Sequence, residues 1–481
     1  MNKVKNIAKN TSYLTLALII QKIISFSYFI LLSRYLGMEV LGQYYTAVAF
    51  TTILALVVDL GFANILIREV AKDKQKTETW MRPILGLKLI LSIVAAGLAF
   101  IFAKIAGYES FILVLILISF IAMLFDSFTN TFFSVIRGFH NLKYESLSAI
   151  FFQVIILILG LSFMRLGFNA YYLMATMALA SLVNLIFSSL VSVFKYKLNI
   201  LPQINLSVSK TIILISWPFA VYNILQRVYS YLDSLLLGFL ANYVQVGIYQ
   251  IAFKIVFALQ FLPLAFIASL YPAMSHYWKN NKDQLEISYK RAINYLIIIS
   301  VPIIFGVFVL AYEIVNLMGA DNEAVWPLRI IMFSLFFIFL NFPVGSLLNA
   351  CDKQKTNTFN MGIVTLVSIS LNLLLIPLLA ALGASITVFL TNALLFTLNM
   401  RASYLLLNYR FNNSWPILYK TFIAALFMAL FVFLFDDFIH LYINVFIAAL
   451  VYFSLLYVLK GIQKNDIISI IESFTKKKIK A

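Results

Sequence analysis

Long apolar runs, separated by short polar stretches, follow one another along the chain. Most runs are about 20 residues long, which is the length that an α-helix needs to cross the hydrocarbon core of a bilayer. The pattern predicts an all-α integral membrane protein with about fourteen transmembrane helices. The predicted helices cover residues 12–32, 43–66, 83–106, 110–134, 147–164, 170–194, 211–238, 246–271, 292–317, 327–350, 359–379, 383–407, 416–436 and 440–460.

The composition of the 481-residue chain agrees with this fold class. Only 11% of the residues are charged and 63% are hydrophobic, whereas soluble domains carry about 25% charged residues. These values exclude most soluble enzymes and leave little chain for a domain outside the membrane. The one cysteine, Cys351, excludes a disulfide framework and a cysteine-based metal cluster.

The basic residues are distributed unevenly between the predicted loops. In a soluble protein, the formal net charge of +17 would indicate nucleic-acid binding. Of the 36 Lys and Arg residues, however, 28 lie in the two termini and every second loop, and only four lie in the alternate loops. Because Lys and Arg collect on the cytoplasmic side, we predict a multi-pass protein of the cell membrane with both termini cytoplasmic and no nucleic-acid partner. The basic segment Met1–Lys9 lacks a following cleavage site, so we expect a retained first helix.

A weak internal repeat relates the two halves of the chain. The sequence GQYYTA from Gly42 matches GIYQIA from Gly247 at an offset of 205, and the same offset places Lys22 on Arg227. Duplications of this kind are common in transporters. We therefore predict two six-helix lobes in parallel orientation, followed by an extra helix pair and a basic cytoplasmic tail. The predicted boundaries are 1–209, 210–410 and 411–481.

Three basic residues lie deep inside predicted membrane helices: Lys22, Arg227 and Lys254. A charge near the bilayer centre costs about 3 kcal/mol or more, so such residues normally face a protein interior or a water-filled cavity. We predict that these three form a cationic cavity that binds a phosphate or diphosphate group. The alternative is a private ion pair between Arg227 and Asp233. Six residues on one helix place these two about 240° apart, which argues against the pair.

Other charges lie nearer the predicted helix ends, on the cytoplasmic side. They are Asp59, Lys88 and Asp126. Lys88 either extends toward the membrane surface or forms a cytoplasmic gate with Asp59 or Asp126. Asp126 and Asp233 are further candidates for binding a coupling proton or sodium ion.

The sequence lacks motifs for metal binding and for nucleotide binding. The three histidines, His140, His276 and His440, lack metal-ligand spacing, and no nucleotide-binding loop occurs. We therefore expect no metal, no cofactor and no enzymatic activity. A membrane glycosyltransferase stays open as an alternative from another class, but it would need a larger outer loop than the predicted ones of about 5–12 residues.

Several stretches resemble the polysaccharide and oligosaccharide-lipid flippases, of O-antigen flippase type, within the multidrug/oligosaccharidyl-lipid/polysaccharide exporter superfamily. The resemblance spans nearly the whole chain in order. The stretches are SRYLGMEVLGQYYTAVAF (Ser33–Phe50), VVDLGFANILIREVA (Val57–Ala71), DSLLLGFLANYVQVGIYQIAFKI (Asp233–Ile255), LYPAMSHYW (Leu270–Trp278), LLNACDKQK (Leu347–Lys355) and GIVTLVSISLNLLLIPLLAALGASITVFLTN (Gly362–Asn392).

The resemblance implies a function in cell-surface polysaccharide or glycan biosynthesis. Its expected cargo is an undecaprenyl- or dolichyl-linked oligosaccharide (di)phosphate, moved from the cytoplasmic to the outer leaflet by alternating access. Expected partners are the lipid bilayer and glycan polymerase or glycosyltransferase machinery. A lipid II flippase and a multidrug or toxin extruder of the same superfamily are the alternatives. Lys22 resembles the basic residues that lipid II flippases carry on their first helices, but this chain has only Arg34 besides it there.

Overall fold

The computed structural model describes residues 2–407, 409–435 and 441–462, and the regular elements in these ranges are all helical. This confirms the predicted all-α fold class. The basic tail beyond residue 462 lies outside the described residues. The helices are α1 (Asn2–Asp59), α2 (Phe62–Lys72), α3 (Thr77–Ile105), α4 (Ser110–Gly138), α5 (Lys143–Arg165), α6 (Ala170–Leu190), α7 (Leu206–Leu240), α8 (Tyr243–Leu259), α9 (Phe261–Asn280), α10 (Lys282–Val309), α11 (Ala311–Leu317), α12 (Val325–Ala350), α13 (Gln354–Leu407), α14 (Trp415–Phe435) and α15 (Leu441–Val458).

Many of these helices have the length and apolar surface of membrane spans. Within the described ranges, ten segments are long and apolar enough to cross a bilayer, and the count is eleven when the two parts of α7, which meet at 59°, are taken as one span. Large apolar side chains such as Phe100 (70% exposed) and Ile105 (78% exposed) point outward. Contact with lipid explains this exposure, because water would penalise an apolar surface of this extent. The protein is therefore a multi-pass membrane protein.

Helix α1 folds back on itself at Gly37. This glycine has φ 72° and ψ 169°, a left-handed conformation that residues with a Cβ rarely adopt. The rings of Phe29 and Tyr45 are 5.8 Å apart, although sixteen residues of straight helix would separate them by about 24 Å. The residues before and after Gly37, here called the first and second limbs of α1, therefore lie side by side, as the two predicted helices 12–32 and 43–66 require.

Helix α13 folds back in the same way at Ala380, which has φ 48° and ψ −125°. A Cβ atom built on Gly383 would overlap the backbone carbonyl oxygen of Leu375, so the chain passes close to itself on either side of the turn. Glycine is needed at position 383 because a side chain would fill this contact. The total of fourteen membrane crossings stays a prediction.

The second predicted helix is too long at its C-terminal end. The predicted range reaches residue 66, but α1 ends at Asp59 and Gly61, with φ 77°, separates it from α2. The apolar run continues into α2 because one face of this amphipathic helix is buried. Its buried residues are Phe62, Ile65, Leu66 and Val70. The first three join a hydrophobic core with α3, α4 and α7, so α2 packs beside the spans and does not extend one.

The predicted helix 246–271 is divided in the structure, and the loop predicted after it is helical. Helix α8 ends at Leu259, and α9 then continues through the polar stretch up to Asn280. Helix α10 begins at Lys282. The prediction was wrong here because the end of apolarity marks where a helix leaves the hydrocarbon, which need not be where the helix ends.

The described residues form two compact units. The first comprises the described residues of Met1–Phe261, Met318–Ala320 and Met361–Thr387, and the second those of Leu262–Leu317, Asp321–Asn360 and Val388–Ala481. In the first unit, α1 packs against α4, α5, α7 and α8. The predicted lobe boundaries at residues 209 and 410 stay a prediction.

In the first unit, the second limb of α1 crosses α8 with the two backbones in contact. A Cβ on Gly42 would overlap the carbonyl oxygen of Tyr243, and a Cβ on Gly247 would overlap that of Met38. The two contacts are equivalent under the offset of 205 residues, because position 42 matches 247 and position 38 matches 243. The repeated glycines therefore meet each other in a reciprocal contact, as in a two-fold interface.

In the second unit, buried polar groups connect the start of α13 to its C-terminal part, and α15 to α10. Helix α10 packs against α12 and α14. The amide of Asn360 donates to Asn399 Oδ1 (2.8 Å), and the amide of Asn399 donates to Asn357 Oδ1 (3.2 Å). The hydroxyl of Tyr452 on α15 donates to the carbonyl oxygen of Ile298 (2.8 Å). Because these groups are buried inside the protein, the bonds satisfy them and hold the helical segments together.

Candidate functional site

All the residues predicted to carry function lie in the first unit. The structure separates them into three places: a pair of lysines, a polar cavity and a buried carboxylate. They are Lys22 and Lys254 in the first place, Asp59, Lys88, Asp126 and Arg227 in the second, and Asp233 in the third.

Lys22 and Lys254, here called the cation pair, lie between α1 and α8 against aromatic rings. The Nζ atom of Lys22 lies 3.6 Å from the ring centroid of Phe257. The Nζ atom of Lys254 lies 4.3 Å from that of Tyr45 and 6.0 Å from that of Phe29. The two lysines are near enough for their charges to interact. Both lysines are half-buried, and the ring faces favour a cation at each of these positions.

The cation pair has no carboxylate partner in the part of the chain that the structure describes. Among the described residues, no Asp or Glu oxygen lies within salt-bridge distance of Lys22, Lys254 or Arg227. Two neighbouring ammonium groups without such a carboxylate can bind phosphate oxygens. Each Lys ammonium offers three hydrogen-bond donors around a compact positive charge.

The aromatic neighbours of the cation pair were missed in the sequence. On α8, Tyr249, Phe253 and Phe257 stack at intervals of four residues, with successive ring centroids 5.8 and 6.0 Å apart. This spacing places them on one helix face. The spacing is readable in the sequence, but so many Phe and Tyr residues occur that it does not stand out there.

Lys88 forms a buried ion pair with Asp59, which argues against the interpretation that its side chain extends to the membrane surface. Its ammonium donates to the carboxylate of Asp59, to the Ser127 carbonyl oxygen (2.7 Å) and to the Ser127 hydroxyl (2.9 Å). Lys88 is only 1% exposed, so it does not extend to the membrane surface. The Ser127 hydroxyl in turn donates to the same oxygen of Asp59 (2.9 Å). A gating role for this pair stays a prediction.

Asp59 and Arg227 line a polar cavity of about 430 Å³ between the second limb of α1, α4 and α7. Asp126, Asn130 and Tyr231 line it as well. A neighbouring cavity of about 280 Å³ shares Asp59, Asn130 and Arg227 with it. The two spaces therefore adjoin at these three side chains. We call them together the polar cavity.

Asp233 lies elsewhere and is fully bonded. It is 3% exposed, and its two oxygens accept hydrogen bonds from the hydroxyl of Tyr249 (2.9 Å) and the amide of Asn372 (2.6 Å). No ion pair joins it to Arg227 in the described part of the chain. A role for Asp233 or Asp126 in ion coupling stays a prediction.

The structure thus groups Lys22 with Lys254 and places Arg227 in the polar cavity. Tyr45 adjoins Lys254, and Thr52, on the same limb of α1, lines the cavity. Seven residues of helix separate these two positions, so the two places lie about 10 Å apart along the limb. A common phosphate-binding role for all three cations stays a prediction.

The fold is similar to that of two solved membrane transport proteins. The chain is similar to a structure of the lipid II flippase MurJ in an inward closed conformation, with a TM-score of 0.76, 14% identity, and coverage of 96% of this chain and 99% of that one. It is also similar to an inward-facing multidrug resistance MATE family transporter of the MOP superfamily, with a TM-score of 0.64, 13% identity, and coverage of 80% and 95%. At these identities the likeness shows the fold alone.

Sequence comparisons extend the likeness. The chain is 28% identical over 186 residues to a protein named probable flippase AglR from Haloferax volcanii, a match that spans 37% of this chain and only 39% of that protein's length. The MatE family pattern matches residues 218–374. The pattern described as polysaccharide biosynthesis protein matches residues 7–278, which is more than half of the chain. These matches confirm the resemblance seen in the sequence, and the chain belongs to the polysaccharide biosynthesis protein family.

Proposed function

We propose that the protein is a flippase that moves a prenyl-(di)phosphate-linked oligosaccharide from the cytoplasmic to the outer leaflet of the cell membrane, for the biosynthesis of a cell-surface polysaccharide or glycan. The observation that carries this proposal is the cation pair, Lys22 and Lys254, which lies in two membrane helices with no carboxylate partner among the described residues. Membership of a polysaccharide biosynthesis family and the similarity to a probable flippase support it.

The diphosphate of such a lipid matches the cation pair chemically. Each lysine donates charge-assisted hydrogen bonds to phosphate oxygens, and these bonds are about twice as strong as neutral ones. Binding also removes the repulsion between the two ammonium groups. The prenyl tail stays in the bilayer, against outer helix surfaces that are already apolar. The charged head group, which could not cross the hydrocarbon unaided, is carried inside the protein.

The charges also discriminate against the extruder alternative. A cationic drug would be repelled by Lys22 and Lys254, because no described carboxylate offsets their charge. For a flippase of this kind, the proposed partners are the lipid-linked glycan, the surrounding bilayer and the enzymes that make and consume that glycan. The proposed orientation, with cytoplasmic termini, rests on the distribution of Lys and Arg between the loops.

The test is the double variant Lys22→Gln/Lys254→Gln in proteoliposomes. The probe is a C55 prenyl diphosphate carrying N-acetylglucosamine, and the measurement is the rate at which the sugar becomes accessible to a lectin on the opposite side. We expect the rate to fall at least about tenfold, because the head group loses two charge-assisted contacts. The matched control is Lys104→Gln, which removes an exposed lysine at the end of α3 and is expected to leave the rate unchanged. An unchanged rate in a well-folded double variant would contradict the proposed function.

A further inference from the structure

The polar cavity contains a set of groups that the diphosphate does not require. We propose that it binds neutral sugar units of the transported glycan while the diphosphate occupies the cation pair. This inference rests on the proposed function and assigns a second, separate binding place to the same substrate. It gives Arg227 the role of a hydrogen-bond donor to sugar oxygens, in place of phosphate binding.

The chemical composition of the cavity wall fits a polyhydroxylated ligand. Hydrogen-bond acceptors for the hydroxyl groups of a sugar are the carboxylate oxygens of Asp59 and Asp126 and the amide oxygen of Asn130. Arg227 supplies hydrogen-bond donors for the sugar oxygens. Tyr231 adds an aromatic ring to the lining. A volume of about 430 Å³ lies within the usual range of small-molecule pockets.

The charge balance of the cavity distinguishes it from the cation pair. Asp59 is neutralised by Lys88, and the remaining charges are one carboxylate, Asp126, and one guanidinium, Arg227. The formal charges therefore sum to zero, whereas Lys22 and Lys254 carry two positive charges. The polar cavity offers a diphosphate no net positive charge, so the diphosphate favours the cation pair and a neutral group favours the cavity.

Lys88 acts here as a positioning residue. It and Ser127 both bond to Oδ1 of Asp59. In the described part of the chain, Oδ2 of Asp59 has no hydrogen-bond partner, while the side chain borders the cavity. Arg227 likewise faces the cavity without an ion-pair partner among the described carboxylates. The Asp59 oxygen and the Arg227 guanidinium are therefore available to hydrogen-bond a ligand. Polar groups held in fixed positions in this way give a pocket its specificity.

The distance between the two places also fits one substrate. They lie about 10 Å apart along the second limb of α1, from Tyr45 beside Lys254 to Thr52 at the cavity wall. This separation is comparable to the distance from a diphosphate to the sugars attached directly to it. One lipid-linked glycan can therefore reach both places at once.

The experiment measures lipid binding to purified protein in nanodiscs. The probes are bare C55 prenyl diphosphate and the same lipid carrying glucose, galactose, mannose, N-acetylglucosamine or the anionic sugar glucuronic acid. For the unaltered protein, we expect at least one neutral sugar lipid to bind about tenfold more tightly than the bare diphosphate. Asp126→Asn and Arg227→Gln are expected to remove this gain and to leave the affinity for the bare diphosphate within twofold. Lys254→Gln is expected to weaken the binding of every probe.

The other outcomes separate the two proposals. Equal binding of the bare and the sugar-bearing lipids, with both dependent on Lys254, would overturn the sugar site and leave the proposed function standing. Tighter binding of the glucuronic acid lipid than of every neutral one would overturn the assignment to neutral sugars. Weaker binding of the bare diphosphate in Arg227→Gln would return Arg227 to phosphate binding and overturn its role here. Failure of all the probes to bind the folded protein would count against the proposed function itself.

Discussion

Substitution of Gly42 by alanine is expected to destabilise the protein by at least about 3 kcal/mol, at the upper end of the range for overpacked sites. A methyl group on Gly42 would overlap the carbonyl oxygen of Tyr243, and the backbone nitrogen of Gly247 would lie 3.0 Å from it. Both neighbours are backbone atoms, so no side chain can rotate away. The second limb of α1 and α8 would have to separate, and Lys254 on α8 would move away from the ring of Tyr45 on that limb.

The measurement is the unfolding free energy in mixed micelles titrated with sodium dodecyl sulfate. Gly247→Ala is expected to have an effect of the same size, because its Cβ would overlap the carbonyl oxygen of Met38 in the reciprocal contact. The matched control is Gly97→Ala in α3, where a new Cβ would meet no atom within 4 Å. That change is expected to be neutral or to stabilise by about 0.5–1 kcal/mol, as alanine is the better helix former. If Gly42→Ala behaved like Gly97→Ala, the close crossing would be refuted.

The contact between Gly42 on α1 and Gly247 on α8 could be predicted from the sequence only in part. The repeat identified Gly42 and Gly247 as equivalent positions, since matched residue types are visible in one chain. That the two copies contact each other could not be predicted, because equivalence under a repeat does not say which surfaces meet. The turn at Gly37 was readable for a different reason: the apolar run is interrupted there, and glycine tolerates the left-handed conformation that the turn uses.

For the candidate site, the sequence likewise predicted which charged residues matter but not which of them lie together. Hydropathy was sufficient to identify Lys22, Lys254 and Arg227, because a charge inside an apolar run is conspicuous. Their division between two places depends on how α1, α7 and α8 rotate about their axes, which a pattern of single residues does not determine. Neutral partners such as Ser127 and Asn372 were missed, because serine and asparagine within a membrane helix carry no signal until the groups that they bond are known.

Removal of the Asp59 carboxylate, by Asp59→Ala, is expected to cost about 3–5 kcal/mol of unfolding free energy, the range found when one partner of a buried ion pair is removed. Lys88 is 1% exposed, and without Asp59 it would keep only the carbonyl and hydroxyl oxygens of Ser127. Neither oxygen carries a charge to neutralise the ammonium. The reverse change, Lys88→Met, is expected to cost clearly less, because the Asp59 side chain is 19% exposed and borders the polar cavity, where water can solvate it.

The double variant Asp59→Ala/Lys88→Met separates the cost of an unpaired charge from the value of the pair. Replacing both partners by apolar groups is often neutral, so we expect it to be more stable than Asp59→Ala alone and to approach the unaltered protein. The control is Lys76→Met, which breaks an exposed pair with Asp73 at 3.5 Å and is expected to be nearly neutral. The same detergent titration measures all four variants. Equal losses for Asp59→Ala and Lys88→Met would contradict the asymmetry, and an additive double variant would show that the two side chains do not interact.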